Sequence, residues 1–151
     1  MSIENRLSEL GLTLPDAPAP AANYVPFMQT GNLVFVSGQI SRDDSGLITG
    51  RLGDTMSVEQ GAEAARRCGL FLIAQVKAAV GDLDRVVRVV KLNGFVNSTA
   101  DFTDQSKVVN GCSDLMVEVF GDAGRHARAA VSAPALPLGV AVEIEAIFEV
   151  K

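Results

Sequence analysis

A polar run, Gly121-Asp122-Ala123-Gly124-Arg125-His126-Ala127-Arg128, interrupts an otherwise apolar part of the chain. Arg128 heads a stretch of small residues in which β-propensity does not expect a guanidinium. A planar guanidinium grips a carboxylate through two parallel hydrogen bonds, and holds it more firmly when partly desolvated. Carboxylate binding is therefore the chemistry Arg128 offers. The ordinary alternative is an ion pair with Glu143 or Glu145 on a neighbouring strand. His126, the single histidine, is either a partly buried loop residue or a group facing the same cleft. Glu143 is either a solvated strand residue or, beside Arg128, an acceptor that positions a water. Asn110 sits next to Gly111 inside a helical pattern, off its apolar stripe, and both are poor helix formers. Tyr24, the only tyrosine, either packs in the core with its hydroxyl at the surface or lines a cleft.

Other familiar machinery is missing. The sequence has no P-loop, no Gly-x-Gly-x-x-Gly, no Gly-x-Ser-x-Gly elbow and no Cys-x-x-Cys. Ser37-Gly38 ends a strand with no histidine near it in sequence. One histidine and the distant Cys68 and Cys112 do not compose a zinc site, so no metal is expected. Both cysteines fall in helical patterns and read as buried free thiols. With a net charge of −5 and Lys and Arg scattered, nucleic acid is not an expected partner. Apolar stretches stop well short of the roughly 20 residues a membrane span requires, and Met1 to Gly11 contains no signal-peptide h-region. The expected location is the cytoplasm.

The elements that must position these residues are legible from periodicity. Ser2 to Leu10 places Ile3, Leu7 and Leu10 at helical spacing and stops at Gly11. Thr13 to Ala22, with Pro15, Pro18 and Pro20, is an extended connector. Tyr24–Met28 and Leu33–Gln39 flank the turn Thr30-Gly31-Asn32 and predict a hairpin. Asp43-Asp44-Ser45-Gly46 is punctuation, with a weaker strand from Leu47 to Leu52. Ser57 and Gln60 form a capping box for a helix running to Gly81. Small residues at Ala62, Ala65 and Gly69 would let this helix lie close against a sheet. Val86–Val96 is a β-branched strand. A second helix spans Ser106 to Phe120 and is capped by Gly121. Ala127–Val131 is a short strand. Val140 to Val150 alternates with period two, its apolar face opposite Glu143, Glu145 and Glu149.

Two main helices on one face of a mixed sheet make a single two-layer α+β domain over residues 1–151. The uncovered sheet face, carrying Glu143 and Glu145 but also Ile147, predicts a homo-oligomer.

Two separated runs carry a family resemblance. Asn32-Leu33-Val34-Phe35-Val36-Ser37-Gly38-Gln39-Ile40 resembles the strand signature of the RidA/YjgF family, also called the L-PSP endoribonuclease group. Ala127-Arg128-Ala129-Ala130-Val131, Leu136-Pro137 and Val142-Glu143-Ile144-Glu145-Ala146 resemble its C-terminal signature. The likeness covers roughly Tyr24 to Lys151. It implies a chorismate-mutase-like fold and a homotrimer with ligand clefts between subunits. It also implies hydrolysis of reactive enamines and imines of the 2-aminoacrylate/2-iminopropanoate type to 2-keto acids and ammonia, without a cofactor. By position, Arg128 matches the arginine that binds the substrate carboxylate, and Glu143 the glutamate that positions the attacking water. Tyr24, Ser37 and Asn110 match cleft-lining residues, and His126 is grouped with them as substrate-binding. The sequence departs from the best-studied branch at Ala130, where that branch has cysteine. It also carries a few extra residues around Gln105–Asn110 and an N-terminal helix, the marks of a longer subfamily. A non-catalytic trimer binding small carboxylates or keto acids is the alternative, and a ribonuclease a distant third.

Overall fold

The computed structural model describes residues 2–20 and 22–151. Met1 and Ala21, the latter within the expected connector, lie outside the described residues. In chain order the elements are α1 (Ile3–Glu9), β1 (Phe27–Thr30), β2 (Leu33–Ile40), β3 (Arg42–Asp43), β4 (Gly46–Leu47), α2 (Val58–Val80), β5 (Val86–Asn97), α3 (Gln105–Phe120), β6 (Ala127–Ala133) and β7 (Val142–Val150). The sheet order is β1-β2-β7-β5-β6. Only the β5–β6 pair is parallel, with α3 as its crossover, so the sheet is mixed.

The period-two pattern of β7 makes it the middle strand. Val142, Ile144, Ala146, Phe148 and Val150 are buried against the helices, while Glu143, Glu145, Ile147 and Glu149 turn the other way. α2 begins with the capping box read from sequence: Gln60 N–H donates to Ser57 Oγ at 3.2 Å, and Ser57 N–H to Gln60 Oε1 at 2.9 Å. α1 closes as its glycine predicted. Leu12 N–H donates to Leu7 O at 2.9 Å and Gly11 N–H to Ser8 O at 3.0 Å, with Gly11 at φ 69°.

Three expectations need correction. The apolar run at Tyr24 enters the sheet only at Phe27, because Pro26 has no N–H to give the ladder; its carbonyl still accepts from Ser37 N–H at 2.9 Å. The strand expected over Leu47–Leu52 is a two-residue ribbon followed by isolated bridges at Thr49 and Leu52. Gly50, at φ 143°, breaks its pleat. Of the small residues read on α2, Ala62 and Gly69 serve the neighbouring helix rather than the sheet. A Cβ on Gly69 would meet Leu115 and Cys112 of α3, and a Cβ on Gly111 would strike the backbone of Ala62. Two helices laid on one sheet face touch side by side, and their spacing is set by the smallest residues at the contact. Gly111, unexplained as a helix former, is explained by that approach.

Cys68 and Cys112 are buried and unpaired. No helix among the described residues is long and apolar enough to cross a membrane. The sheet face away from the helices exposes large apolar side chains, Phe35 at 42% and Val131 at 46%.

Candidate functional site

Arg128 sits on β6, one edge of the sheet, in register with Leu92 of β5, and its side chain runs along the helix-covered face toward α3. Nη1 donates to Asn110 Oδ1 at 2.8 Å and to Ser113 Oγ at 3.0 Å, and Nη2 donates to the Ser106 carbonyl at 3.2 Å. Ser106, Asn110 and Ser113 are spaced by four and three residues, so one polar stripe of α3 holds the guanidinium. Every one of these acceptors is neutral. No ion pair among the described residues includes Arg128, and the pairing with Glu143 or Glu145 considered above is not formed.

His126 belongs to the same cluster. Its Nδ1 lies 2.6 Å from the Gly124 carbonyl, which can only accept, so Nδ1 carries a proton. In the neutral ring Nε2 then accepts from the Ser113 hydroxyl, at 2.9 Å. Ser113 thus takes a hydrogen bond from Arg128 and gives one to His126. The chain of donors has a single direction and fixes the serine rotamer. Beneath it lies the Cys112 thiol, pushed up to about 12 by burial, with the Arg128 charge pulling the other way. A thiol held so high is inert.

Glu143 occupies the opposite edge region. β2 runs past the end of β1 there and carries one extra residue against β7 between Val36 and Gln39. The Glu143 side chain lies directly over Gly38, where any Cβ would collide with its carboxylate. That contact gives the Ser37-Gly38-Gln39 run a physical meaning. The carboxylate faces a cavity of about 240 Å³ shared with Tyr24, Gln39, Pro18–Pro20 of the connector, and Phe71 and Gln75 of α2. Gln75 Nε2 anchors the connector by donating to the Pro18 carbonyl at 2.9 Å. Leu138, on the rim, is a non-glycine residue at φ 59° and is 67% exposed. Burial first, and Glu145 second, push the Glu143 carboxyl above its ordinary 4.5.

The sequence-selected residues therefore fall in three places. Arg128, Asn110 and His126 meet at the β6 edge. Tyr24 and Glu143 share the cavity near β2. The Ser37 hydroxyl donates to the Val25 carbonyl at 2.7 Å, and the residue lines a shallow depression with Val25, Phe35 and Ile147. Sequence reasoning missed Ser113 and Ser106; their polar spacing beside the apolar stripe of α3 was the available signal. It also missed Gln39 and Arg42, which line the Glu143 cavity. Among the described residues no group of three or more His, Cys, Asp or Glu side chains is placed to hold a metal ion.

Comparison with known proteins agrees with this architecture. Residues 4–149 match the family described as "YjgF/chorismate mutase-like, putative endoribonuclease". The chain is 53% identical over 145 residues to protein TCP17 of Trypanosoma cruzi, covering 95% of this chain and 91% of that one. It is 32% identical over 131 residues to the mouse 2-iminobutanoate/2-iminopropanoate deaminase, covering 87% and 84%. A crystal structure from Shewanella oneidensis, described as a putative endoribonuclease, superposes with a TM-score of 0.95 at 34% identity, covering 99% of this chain and all of that one. The chain belongs to the YjgF/RidA family, with that family's α+β fold, which includes imine deaminases among this chain's more distant relatives.

Proposed function

We propose that the protein hydrolyses small reactive enamines and imines of the 2-aminoacrylate/2-iminopropanoate type to 2-keto acids and ammonia. The observation that carries this reading is the Arg128 cluster: a half-buried guanidinium oriented by three neutral acceptors, with no carboxylate of its own. An acid group on a guest molecule supplies the missing charge.

An imine carbon is already electrophilic, so the protein has little chemistry to perform beyond holding it and presenting a water. Arg128 grips the carboxylate. Glu143, made more basic by desolvation, accepts a proton as the water oxygen bonds to the imine carbon. The nitrogen gains a proton, the carbinolamine collapses, and ammonia leaves with the keto acid. Tyr24 lines the same space. None of these steps calls on a cofactor.

Within one chain Arg128 and Glu143 lie on opposite faces of the sheet and toward opposite edges. Two half-sites at opposite edges meet when copies associate head to tail, and such contacts form a ring where the rotation between copies closes. We take the assembly to be a homotrimer with a complete site at each subunit boundary, and the exposed Phe35 and Val131 to be covered within it. The same separation favours a second reading, a trimer that binds small carboxylates without turning them over.

Generating an imine in situ and timing keto-acid release decides between them. The wild type should exceed the spontaneous rate. Arg128→Ala should fall to that rate while remaining trimeric. Wild-type turnover in Arg128→Ala overturns the assignment. A wild type no faster than the uncatalysed reaction, with carboxylate binding lost in the variant, leaves the binder. Ribonuclease activity, suggested only by the family's description, would have to purify with the trimer and vanish in Arg128→Ala.

A further inference from the structure

The Glu143 cavity has a cation of its own. Arg42 and Phe71 both line it, and the Arg42 guanidinium sits 5.9 Å from the centroid of the Phe71 ring. Arg67 approaches the same ring at 6.0 Å, but Arg67 is engaged: Nε donates to the Arg42 carbonyl at 3.0 Å and Nη2 pairs with Asp44 at 3.8 Å. The Arg42 side chain makes no ion pair and donates no side-chain hydrogen bond among the described residues. Among the described residues lining this cavity Arg42 is the one cation, facing the single carboxylate Glu143 without pairing with it. Stacking on an aromatic face holds a guanidinium in place while leaving its N–H donors open.

We infer that this cavity accepts imino acids bearing a second carboxylate, and that Arg42 binds it. The inference rests on the imine-hydrolase reading for its reaction and adds the substrate class. Size supports it: the cavity measures about 240 Å³, more room than the imine of a three-carbon acid fills. Charge supports it as well. A second carboxylate entering beside Glu143 meets a like charge, and Arg42 is the group in the lining that offsets it. Arg128 would hold the acid group next to the imine carbon, and Arg42 the distal one.

The test compares the in-situ imines of glutamate and alanine in the wild type, Arg42→Gln and Arg42→Lys. The ratio of kcat/KM for the dicarboxylic over the monocarboxylic imine should fall about 10- to 100-fold in Arg42→Gln, the range for losing a hydrogen-bonded charge pair. Arg42→Lys, which keeps the charge without the fork, should fall between. An unchanged ratio overturns the inference while leaving the hydrolase reading intact. A wild type that accelerates neither imine defeats the hydrolase reading, and calorimetry then decides on the subsite. Titration with 2-oxoglutarate and 2-oxobutanoate should show a preference for the diacid that Arg42→Gln abolishes. Equal affinities in the wild type overturn the subsite.

Discussion

At the β6 edge of the sheet the polar atoms around Arg128 have partners: Asn110, Ser113 and the Ser106 carbonyl hold the guanidinium, and Ser113 is tied onward to His126 and through it to Gly124. At the β2 edge the opposite holds. Glu143 is half-buried, accepts no hydrogen bond among the described residues, and has its carboxyl raised by desolvation, while Arg42 nearby makes no ion pair among them. In the first region three of the five guanidinium N–H donors are held by the protein, which fixes the group's orientation and leaves two for a guest. The second holds groups in unfavourable surroundings, which is how proteins keep a carboxylate basic. On the proposed function, splitting the two tasks between opposite edges leaves neither edge complete alone and couples activity to assembly.

The sharpest way to break that contrast is to prevent the edges from meeting. Phe35 lies on the open face, opposite Met28 of β1 and Ile147 of β7. A glutamate in its place puts a charge in the surface proposed to be covered by a neighbour. Phe35→Glu should dissociate the trimer to monomers in light scattering and bring imine turnover to the spontaneous rate, with the monomer still folded by circular dichroism. Folded monomers that retain wild-type turnover would show that Arg128 and Glu143 need not come from different copies.

A smaller effect is expected from loosening the Arg128 edge without removing the charge. Ser113→Ala deletes the acceptor shared by Arg128 and the donor to His126. KM should rise about tenfold, the typical value of one hydrogen bond to a charged group, with kcat within a factor of two because the reacting atoms are untouched. Ser113→Thr, which keeps the hydroxyl, should restore KM. A variant that lost kcat and KM together, unrepaired by threonine, would place Ser113 in packing rather than in positioning. His126→Leu should reproduce the alanine phenotype in weaker form, since it leaves the serine hydroxyl in place but free to rotate.

The sequence was most legible where one interaction dominates. The Ser57–Gln60 capping box and the alternation of β7 both depend on near neighbours in the chain, and both formed as read. Expectations went astray where distant segments decide. The role of Gly111 depends on Ala62, far away in α2, and no helix propensity records such an approach. The cavity near Glu143 depends on a bulge in β2 and on a connector pinned by Gln75, neither of which leaves a periodic trace. Ser113 looked like any polar helix residue until Arg128 was seen to lie against it. Arg128 and Glu143 were both picked out by residue type and family resemblance, but their placement on opposite faces follows only from strand register, which a sequence pattern does not fix across three strands.

The smallest expected effect is a change in stability at Glu143, which separates the structural cost of that carboxylate from its catalytic one. Its folded carboxyl titrates above the ordinary 4.5, chiefly from burial and secondarily from Glu145. The unfolded chain therefore releases this proton first as pH climbs. The contribution of Glu143 to stability is full below 4.5 and is lost as pH rises through the folded value. Glutamine is permanently in the neutral state. Glu143→Gln should raise Tm near neutral pH by about 1–2 °C, a small shift because the group is only half-buried. The gain should shrink to nothing below the ordinary carboxylate range. Turnover should meanwhile fall by about 100-fold or more, as expected on losing a general base. A Glu143→Gln protein that is less stable at every pH would mean the carboxylate is held by hydrogen bonds rather than stranded, and the distinction between a satisfied edge and an unsatisfied one would collapse.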